Sequence, residues 1–156
     1  MLVSDGSSLI GLFLENQKYF CDSIKEDLVK NDDVELFKLT KNWLDMYFNN
    51  EMPKISALPL APRGSSFRQE VWKILCDIPY GKTTTYKDIA IKMAKIEGKE
   101  KMSAQAIGGA IGHNPISIII PCHRVVGTNG NLTGYAGGID IKEKLLNLEK
   151  SNKIIK

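Results

Sequence analysis

The stretch Ile116-Ser-Ile-Ile-Ile-Pro-Cys-His-Arg-Val-Val126 decides how the rest of this chain is interpreted. Four of its first five residues are isoleucines, whose branched side chains favour a β-strand buried in a sheet. Proline has no N–H to donate to a sheet, so the predicted strand ends at Pro121. Cys122 therefore follows a rigid element, which is a suitable position for a nucleophile that faces a cavity. The alternative is that Cys122 is a small buried hydrophobe, as most free cysteines are.

The composition is that of a globular protein, with 43% apolar and 25% charged residues among 156. No apolar run reaches the roughly 18 residues of a membrane span, and the first residues lack the basic and apolar regions of a signal peptide. The three cysteines, Cys21, Cys76 and Cys122, are odd in number and widely spaced. This spacing argues against a disulfide framework or a zinc site and favours a reducing compartment. We expect a cytoplasmic monomer that binds no metal and no membrane.

Charge is distributed unevenly along the chain. Residues 1–62 hold 6 Lys and 10 acidic residues, a net charge of −4, whereas residues 63–156 hold 15 basic and 8 acidic residues, a net charge of +7. A basic C-terminal part suits the phosphates of nucleic acid. A solvated surface without a partner is the alternative.

The first 62 residues predict a small α/β domain. Apolar segments on either side of Gly6 predict a hairpin, and Lys18–Cys21 is expected to add a third strand. Apolar residues at helical spacing predict a helix over about 34–49. Three prolines between 53 and 63 favour an extended linker, which places the domain boundary near residue 62.

The second domain, residues 63–150, is predicted to be mainly helical. Its four expected helices lie over about 67–77, 86–95, 104–112 and 141–150. The two short helices in the middle suggest a helix-turn-helix, although their connection of about seven residues exceeds the usual three or four. Residues 151–156 are predicted to form a frayed tail.

Pro121-Cys-His-Arg-Val125, preceded by Asn114-Pro115, resembles the O6-alkylguanine-DNA alkyltransferase family (methylated-DNA–protein-cysteine methyltransferases). Four more motifs match the same family: Phe67-x-x-x-Val71-Trp72, Tyr80-Gly81-x-x-x-x-Tyr86, Ile107-Gly108-x-Ala110 and Gly134-Tyr135-Ala136-Gly137-Gly138. The resemblance implies an α/β (α+β) fold with a sheet-plus-helix N-terminal domain and a mainly helical, winged helix-turn-helix-like C-terminal domain. The family usually has one more strand before the one that begins at Met1, so we expect the N-terminal sheet to lack an edge strand.

The reaction that the resemblance implies is DNA repair. The thiolate of Cys122 would attack the alkyl carbon on O6 of guanine, leave S-alkylcysteine and release restored guanine. A thioether is a poor leaving group and the sequence suggests no cofactor that would remove the alkyl group, so each molecule would act once. O4-alkylthymine remains open as a second substrate.

A cysteine reacts as thiolate, so a base must favour that form. Neighbouring side chains of an extended chain point to opposite faces, which makes a bridging water the easier link between Cys122 and His123. Glu149 matches the family's acid, and the resemblance therefore implies a Cys122–water–His123–Glu149 relay. A satisfied core histidine and a solvated acid at a helix end are the alternatives.

Other members of the site follow from the same resemblance. Tyr86 would donate a proton or a hydrogen bond to N3 of the base, although a core-packing aromatic is the alternative. Asn114 would hold the cysteine segment in register with the helix-turn-helix. The remaining substrate contacts would be the main-chain carbonyls of Cys122 and Val125, the N–H of Ala136, and a closing loop that includes Tyr135 and Gly137.

The third helix of the C-terminal domain would enter the minor groove of double-stranded DNA while the base is flipped out. The DNA contacts assigned to this chain are Ala104, Gln105, Ala106, Gly108 and Arg124. Small residues suit a narrow groove, but they also suit close helix packing. The family's helix usually carries an arginine that fills the gap left by the flipped base, and here Gln105 takes that position.

Three other functions compete with alkyl transfer. A non-catalytic damage-recognition protein would lack the cysteine, and Cys122 is present. A helix-turn-helix regulator would make the Cys-His pair incidental. A thiol hydrolase would need an oxyanion hole, which the sequence does not locate.

Overall fold

The computed structural model of the protein describes residues 1–151, so residues 152–156 of the predicted tail lie outside the described part. The elements in chain order are β1 Leu2–Ser4, β2 Leu9–Leu12, α1 Glu35–Phe48, a 3₁₀ turn at Ile55–Ala57, α2 Ser66–Cys76, β3 Thr84–Thr85, α3 Tyr86–Ile96, α4 Ala104–Gly112, a 3₁₀ turn at Cys122–Arg124, β4 Val125–Val126, a 3₁₀ turn at Thr128–Gly130, and α5 Ile139–Ser151. The predicted fold class, with small sheets and helices in both halves, is confirmed.

The N-terminal hairpin is the antiparallel pair β1–β2, in which Leu2 lies opposite Leu12. Helix α1 buries Trp43 and Tyr47, both within the main hydrophobic core. The expected third strand at Lys18–Cys21 is wrong. This segment forms turns in which Tyr19 and Cys21 have φ values of 58° and 60°, a left-handed backbone that cannot continue a sheet.

The C-terminal domain is built on α2, α3 and α4, whose apolar faces meet. Val71, Met93 and Ile107 are fully buried, and the Trp72 indole N–H donates to the Ala110 carbonyl at 2.9 Å. Thr85 and Ser103 cap α3 and α4 by accepting main-chain N–H bonds, as their sequence positions predict. The short parallel pair β3–β4 joins the start of α3 to the segment that follows the cysteine.

The strand expected at the isoleucine run is wrong, although the run is buried as predicted. Only Ile116 pairs with another strand, as an isolated bridge to Leu12. The chain then turns: the Ile120 N–H donates to the Ile116 carbonyl at 3.1 Å, and Ile118 has a φ of 72°. Local turn bonds satisfy the backbone here, so branched side chains indicate burial and not an extended strand. Cys122 therefore begins a 3₁₀ turn that follows a buried turn.

Candidate active site

A cavity of about 300 Å³ opens beside the cysteine. Its lining comes from an N-terminal segment, from α3 and α4, and from the glycine-rich loop: Lys18, Tyr19, Tyr86, Gly108, Ile111, Gly112, Cys122, Thr133, Gly134, Tyr135 and Ala136. The structure thus brings together Cys122, Tyr86, Tyr135, Ala136 and Gly108 from the sequence-predicted site.

Cys122 is buried at the base of this cavity, with 4% of its surface exposed. Its N–H donates to the Ile120 carbonyl at 2.8 Å, which fixes the start of the 3₁₀ turn. Burial raises the pKa of the Cys122 thiol above its usual value, against a hydrogen bond from Asn114 and the charge of Lys142, which both lower it. The resting side chain is therefore a thiol, and a base is needed to form the nucleophile.

His123 and Glu149 form a buried pair on the far side of the 3₁₀ turn. The His123 Nε2 lies in hydrogen-bond contact with the Glu149 Oε2. Since a carboxylate can only accept, Nε2 carries the proton in this arrangement and Nδ1 has a free lone pair. Nδ1 is buried and bonds to no group of the described residues. Burial lowers the pKa of His123 despite the Glu149 carboxylate, which raises it, so the ring is a neutral base.

Glu149 is held by four groups. Arg124 Nε donates to its Oε1 at 2.7 Å, the Gly81 N–H donates to the same oxygen at 3.1 Å, and the Tyr47 hydroxyl donates to Oε2 at 2.5 Å, beside His123. Burial alone would raise the pKa of Glu149, but hydrogen bonds from His123 and Arg124 and the charge of Arg124 outweigh it and lower the pKa to about 2. The acid is thus ionised and oriented before any substrate binds.

Arg124 does not lie where the sequence assigned it. Its side chain is buried instead of facing DNA, because its guanidinium donates both to Glu149 and, at 2.7 Å, to the Ile78 carbonyl. A buried Arg–Glu pair needs hydrogen bonds to its polar groups, and these two bonds supply acceptors for Nε and Nη1 of the guanidinium. The assignment of Arg124 as a DNA contact is therefore corrected to a support of the acid.

Asn114 connects the end of α4 with the turn that precedes the cysteine. Its amide donates to the Ile120 carbonyl at 2.9 Å, and its oxygen accepts the Ile116 N–H at 3.0 Å. The side chain is buried and spans both ends of the turn. These two bonds would allow Asn114 to hold the cysteine segment in a fixed position relative to α4.

Tyr86 and Lys142 meet at the glycine-rich loop. The Tyr86 hydroxyl donates to the Thr133 carbonyl at 2.9 Å, and burial raises the pKa of Tyr86, so it is a neutral phenol at neutral pH. Lys142 is fully buried and donates to the carbonyls of Val125, Thr133 and Gly134. Burial lowers the pKa of Lys142 to about 8, while nearby Cys122 opposes the shift. One ammonium group therefore ties the loop to the segment after the cysteine.

The loop Tyr135–Gly138 also touches the N-terminal domain. The Ala136 carbonyl accepts the Lys18 N–H at 2.9 Å. A Cβ at Gly137 would lie 2.6 Å from the end of the Leu14 side chain, so any larger residue would require that side chain to move. The absence of a side chain at Gly137 thus serves packing between the loop and the N-terminal domain.

The outer face of α4 is open. Ala104, Gln105 and Ala106 are exposed, and a Cβ at Gly108 or Gly109 would meet no atom within 4 Å. Close helix packing, the alternative explanation of the small residues, is therefore wrong for these two glycines. The opposite face, with Ile107, Ala110 and Ile111, makes the contacts with the core. The helix presents a flat, unobstructed surface to its surroundings.

Lys142, Tyr47 and Tyr19 belong to the site and were not foreseen from the sequence. Lys142 and Glu149 lie seven positions apart in α5, so the helical period could have placed Lys142 on the same buried face as the acid, two turns away. Tyr47 lies on the buried face of α1, and nothing in the sequence indicates the contact of its hydroxyl with Glu149, 102 positions away. Tyr19 belongs to the segment that was expected to form a strand.

Among residues 1–151, no cluster of three His, Cys, Asp or Glu side chains could hold a metal ion. Within the same range, no helix has the length and hydrophobicity needed to cross a membrane. The three cysteines are free. Fold and site together define a class of protein. Its C-terminal domain is helix-turn-helix-like and holds a buried Cys-His-Glu cluster beside a cavity of about 300 Å³, and a small α/β domain packs against it.

Comparison with known proteins identifies the family within this class. The profile for the 6-O-methylguanine DNA methyltransferase ribonuclease-like domain matches residues 1–62, and the profile for the DNA binding domain of the same enzyme matches residues 66–151. The chain belongs to the 6-O-methylguanine DNA methyltransferase family.

Individual members are similar over most of their length. The methylated-DNA–protein-cysteine methyltransferase of Methanosarcina barkeri is 45% identical over 140 residues, covering 90% of this chain and 82% of that protein. The Haemophilus influenzae enzyme of the same name is 37% identical over 96% of this chain and 79% of its own. The Mycobacterium tuberculosis OGT in a crystal structure with DNA superimposes with a TM-score of 0.82 at 40% identity, covering 96% of this chain and 85% of that one.

Proposed function

We propose that this protein repairs O6-alkylguanine in duplex DNA by transferring the alkyl group to Cys122, once per molecule. The Sγ–carbon bond forms while the carbon–O6 bond breaks, and the electron pair of that bond passes to the guanine. The proton of the thiol goes to His123, and the leaving guanine anion takes a proton at N3 from the Tyr86 hydroxyl, which would regain one from water. The sulfur keeps the alkyl group, since no group of this site can remove it.

The observation that supports this chemistry best is the state of His123. Its Nε2 is occupied by Glu149, and its buried Nδ1 is free to accept a proton. His123 follows Cys122 directly, and a bridging water is the link that we propose between Nδ1 and the thiol. Because burial raises the pKa of the thiol, the neutral imidazole must act as the base before attack.

The base would be read by groups around the cavity. The carbonyls of Cys122 and Val125 would accept from the exocyclic amine, and the Ala136 N–H would donate to O6. The Tyr86 hydroxyl would exchange its present acceptor, the Thr133 carbonyl, for N3 of guanine. Tyr135 and Gly137 belong to the loop that would close over the base.

DNA would bind on the open face of α4, with Gln105 beside the gap left by the flipped base. Gly108 and Gly109 leave room for close approach to the floor of a minor groove. The surplus charge of residues 63–156 would bind phosphate, so affinity should fall steeply with salt and depend little on sequence. Binding constants at several salt concentrations on two unrelated duplexes test this. A flat salt response, or strong preference for one duplex, would contradict it.

The decisive experiment is intact and peptide mass spectrometry after exposure to a duplex that contains O6-methylguanine. One methyl group, about 14 Da, should appear on the Cys122 peptide, with no more than one repair per molecule. Cys122→Ser should abolish transfer and keep DNA binding, whereas Cys76→Ser should retain transfer. Repeated turnover, or label on Cys21 or Cys76, would overturn the proposal.

We propose further that the protein acts as a monomer in the cytoplasm. Its three free cysteines suit a reducing compartment. Sedimentation of the protein alone and with one duplex tests the monomer, and fractionation of cells tests the compartment.

A further inference from the structure

The N-terminal domain forms one wall of the alkyl-transfer cavity. Lys18 and Tyr19 line it, while the other lining residues belong to the C-terminal domain. The ring of Tyr19 is 44% exposed, so it lies at the mouth and not in the core. No step of the proposed alkyl transfer uses the Tyr19 ring.

Two contacts hold the segment Lys18–Tyr19 in place. The Tyr19 ring stacks on His113 with centroids 3.7 Å apart and an interplanar angle of 24°. The His113 ring is itself fixed, because its Nδ1 lies 2.7 Å from the Gly109 carbonyl in α4. On the other side, the Lys18 N–H bonds to the carbonyl of Ala136 in the closing loop. The Tyr19 ring is thus stacked at the end of α4, and the residue before it is bonded to the closing loop.

The ring lies beside Gly112, which also lines the cavity. A Cβ at Gly112 would be 4.0 Å from the Tyr19 Cε2, an ordinary van der Waals contact, so the ring bounds the cavity at this point. We infer that Tyr19 sets the upper size of the O6 substituent that the cavity accepts. This inference rests on the proposed function: a methyl group on O6 would leave the ring in place, whereas a larger group would have to displace it from His113.

The test compares two duplexes that differ only in the substituent, O6-methylguanine and O6-benzylguanine. The quantity compared is the ratio of the single-turnover rate with O6-benzylguanine to that with O6-methylguanine. Effects of a substitution on DNA binding and base flipping are common to both rates and cancel in this ratio. Tyr19→Ala should raise this ratio about tenfold or more, the scale of one pocket contact. Tyr19→Phe should keep the wild-type ratio, and Tyr19→Trp should lower it. Phe20→Ala changes a neighbouring exposed aromatic that does not line the cavity and should leave the ratio unchanged.

His113→Ala removes the ring on which Tyr19 stacks and should raise the ratio in the same direction. Combined with Tyr19→Ala it should add little, because both changes remove one wall. If Tyr19→Ala slows both substrates equally, or changes neither, the inference is wrong while the proposed function stands. If the wild-type protein receives an alkyl group from neither duplex, the proposed function itself fails.

Discussion

The two parts of the proposed site differ in how firmly their side chains are held. The relay cluster, His123, Arg124 and Glu149 with Tyr47, is buried, and its carboxylate accepts four hydrogen bonds. The outer face of α4 is exposed, and Cβ atoms added at its glycines meet nothing. One part is fixed by hydrogen bonds before substrate arrives, and the other is an exposed surface with open space at its glycines.

This difference predicts how each part responds to substitution. Removing one member of a buried, hydrogen-bonded charge cluster leaves another charge without a partner, so it affects stability and chemistry together. A change on an exposed helix face costs little stability, and its effect is confined to DNA. The following experiments test this contrast, beginning with the largest expected effect.

Glu149→Gln should slow alkyl transfer by about a hundredfold and destabilise the fold by about 3 kcal/mol. The amide leaves the Arg124 charge unpaired in the interior and no longer fixes the tautomer of His123. Glu143→Gln on the exposed side of the same helix is the matched control and should change neither quantity. Single-turnover rates and urea unfolding measure the two effects.

The same pair of variants tests the pH dependence of stability. The pKa of Glu149 is lowered to about 2 in the folded protein, below its value in the unfolded chain. Its ionised form therefore stabilises the fold above about pH 4, and this contribution, about 3 kcal/mol, is lost as pH falls toward 2. The wild-type protein and the Glu143→Gln variant should both lose this stabilisation when the pH is lowered. An equally large acid-induced loss in Glu149→Gln would show that another carboxyl is responsible.

Tyr47→Phe should have a smaller effect, because His123 and Arg124 still hold the acid. Loss of a hydrogen bond to a charged acceptor costs about 2 kcal/mol of stability. Without this donor the carboxylate stabilises the imidazolium more strongly, so the pKa of His123 rises and less neutral base is present. Transfer should slow about tenfold near neutral pH, and the acid limb of its pH profile should move to higher pH.

Tyr80→Phe is the control for this prediction. The Tyr80 hydroxyl donates to Asn50 at 2.7 Å and not to the relay, while its ring lies beside Arg124 and is kept in the variant. A pH profile that moves equally in both variants would assign the effect to packing around Arg124. A profile that moves in neither would remove Tyr47 from the relay.

The same contrast explains what the sequence could and could not predict. Helix bounds followed from period and caps, as at Thr85 and Ser103, because those signals are local. The isoleucine run at 116–120 correctly predicted a buried segment but wrongly predicted a strand. A buried turn can hold branched side chains as well as a strand can, so the composition did not distinguish the two. Tyr47 contacts Glu149 across 102 positions, and no local pattern reports such a contact. The exposed face of α4 was foreseen because its composition shows directly in the chain.

The smallest expected effects are those of Gln105, because it lies on the exposed face. Holding a base outside the stack costs a few kcal/mol, and an inserted side chain offsets part of that cost. Arginine adds a flat cation that is drawn to the negative minor groove, whereas glutamine keeps only hydrogen bonds. Gln105→Arg should therefore speed repair of duplex substrate up to about tenfold, and Gln105→Ala should slow it. Neither should change the stability of the fold.

Two control measurements distinguish insertion of the residue 105 side chain into DNA from other causes of a changed repair rate. Free O6-benzylguanine needs no flipping, so both Gln105 variants should react with it at the wild-type rate. Glu100→Gln adds the same unit of positive charge in the exposed loop before α4 without reaching the helix. If Glu100→Gln speeds the duplex reaction as much as Gln105→Arg, general attraction to DNA explains the gain. If Gln105→Ala slows the free base and the duplex equally, residue 105 supports the cavity, and the division between a fixed relay and an independent DNA face does not hold.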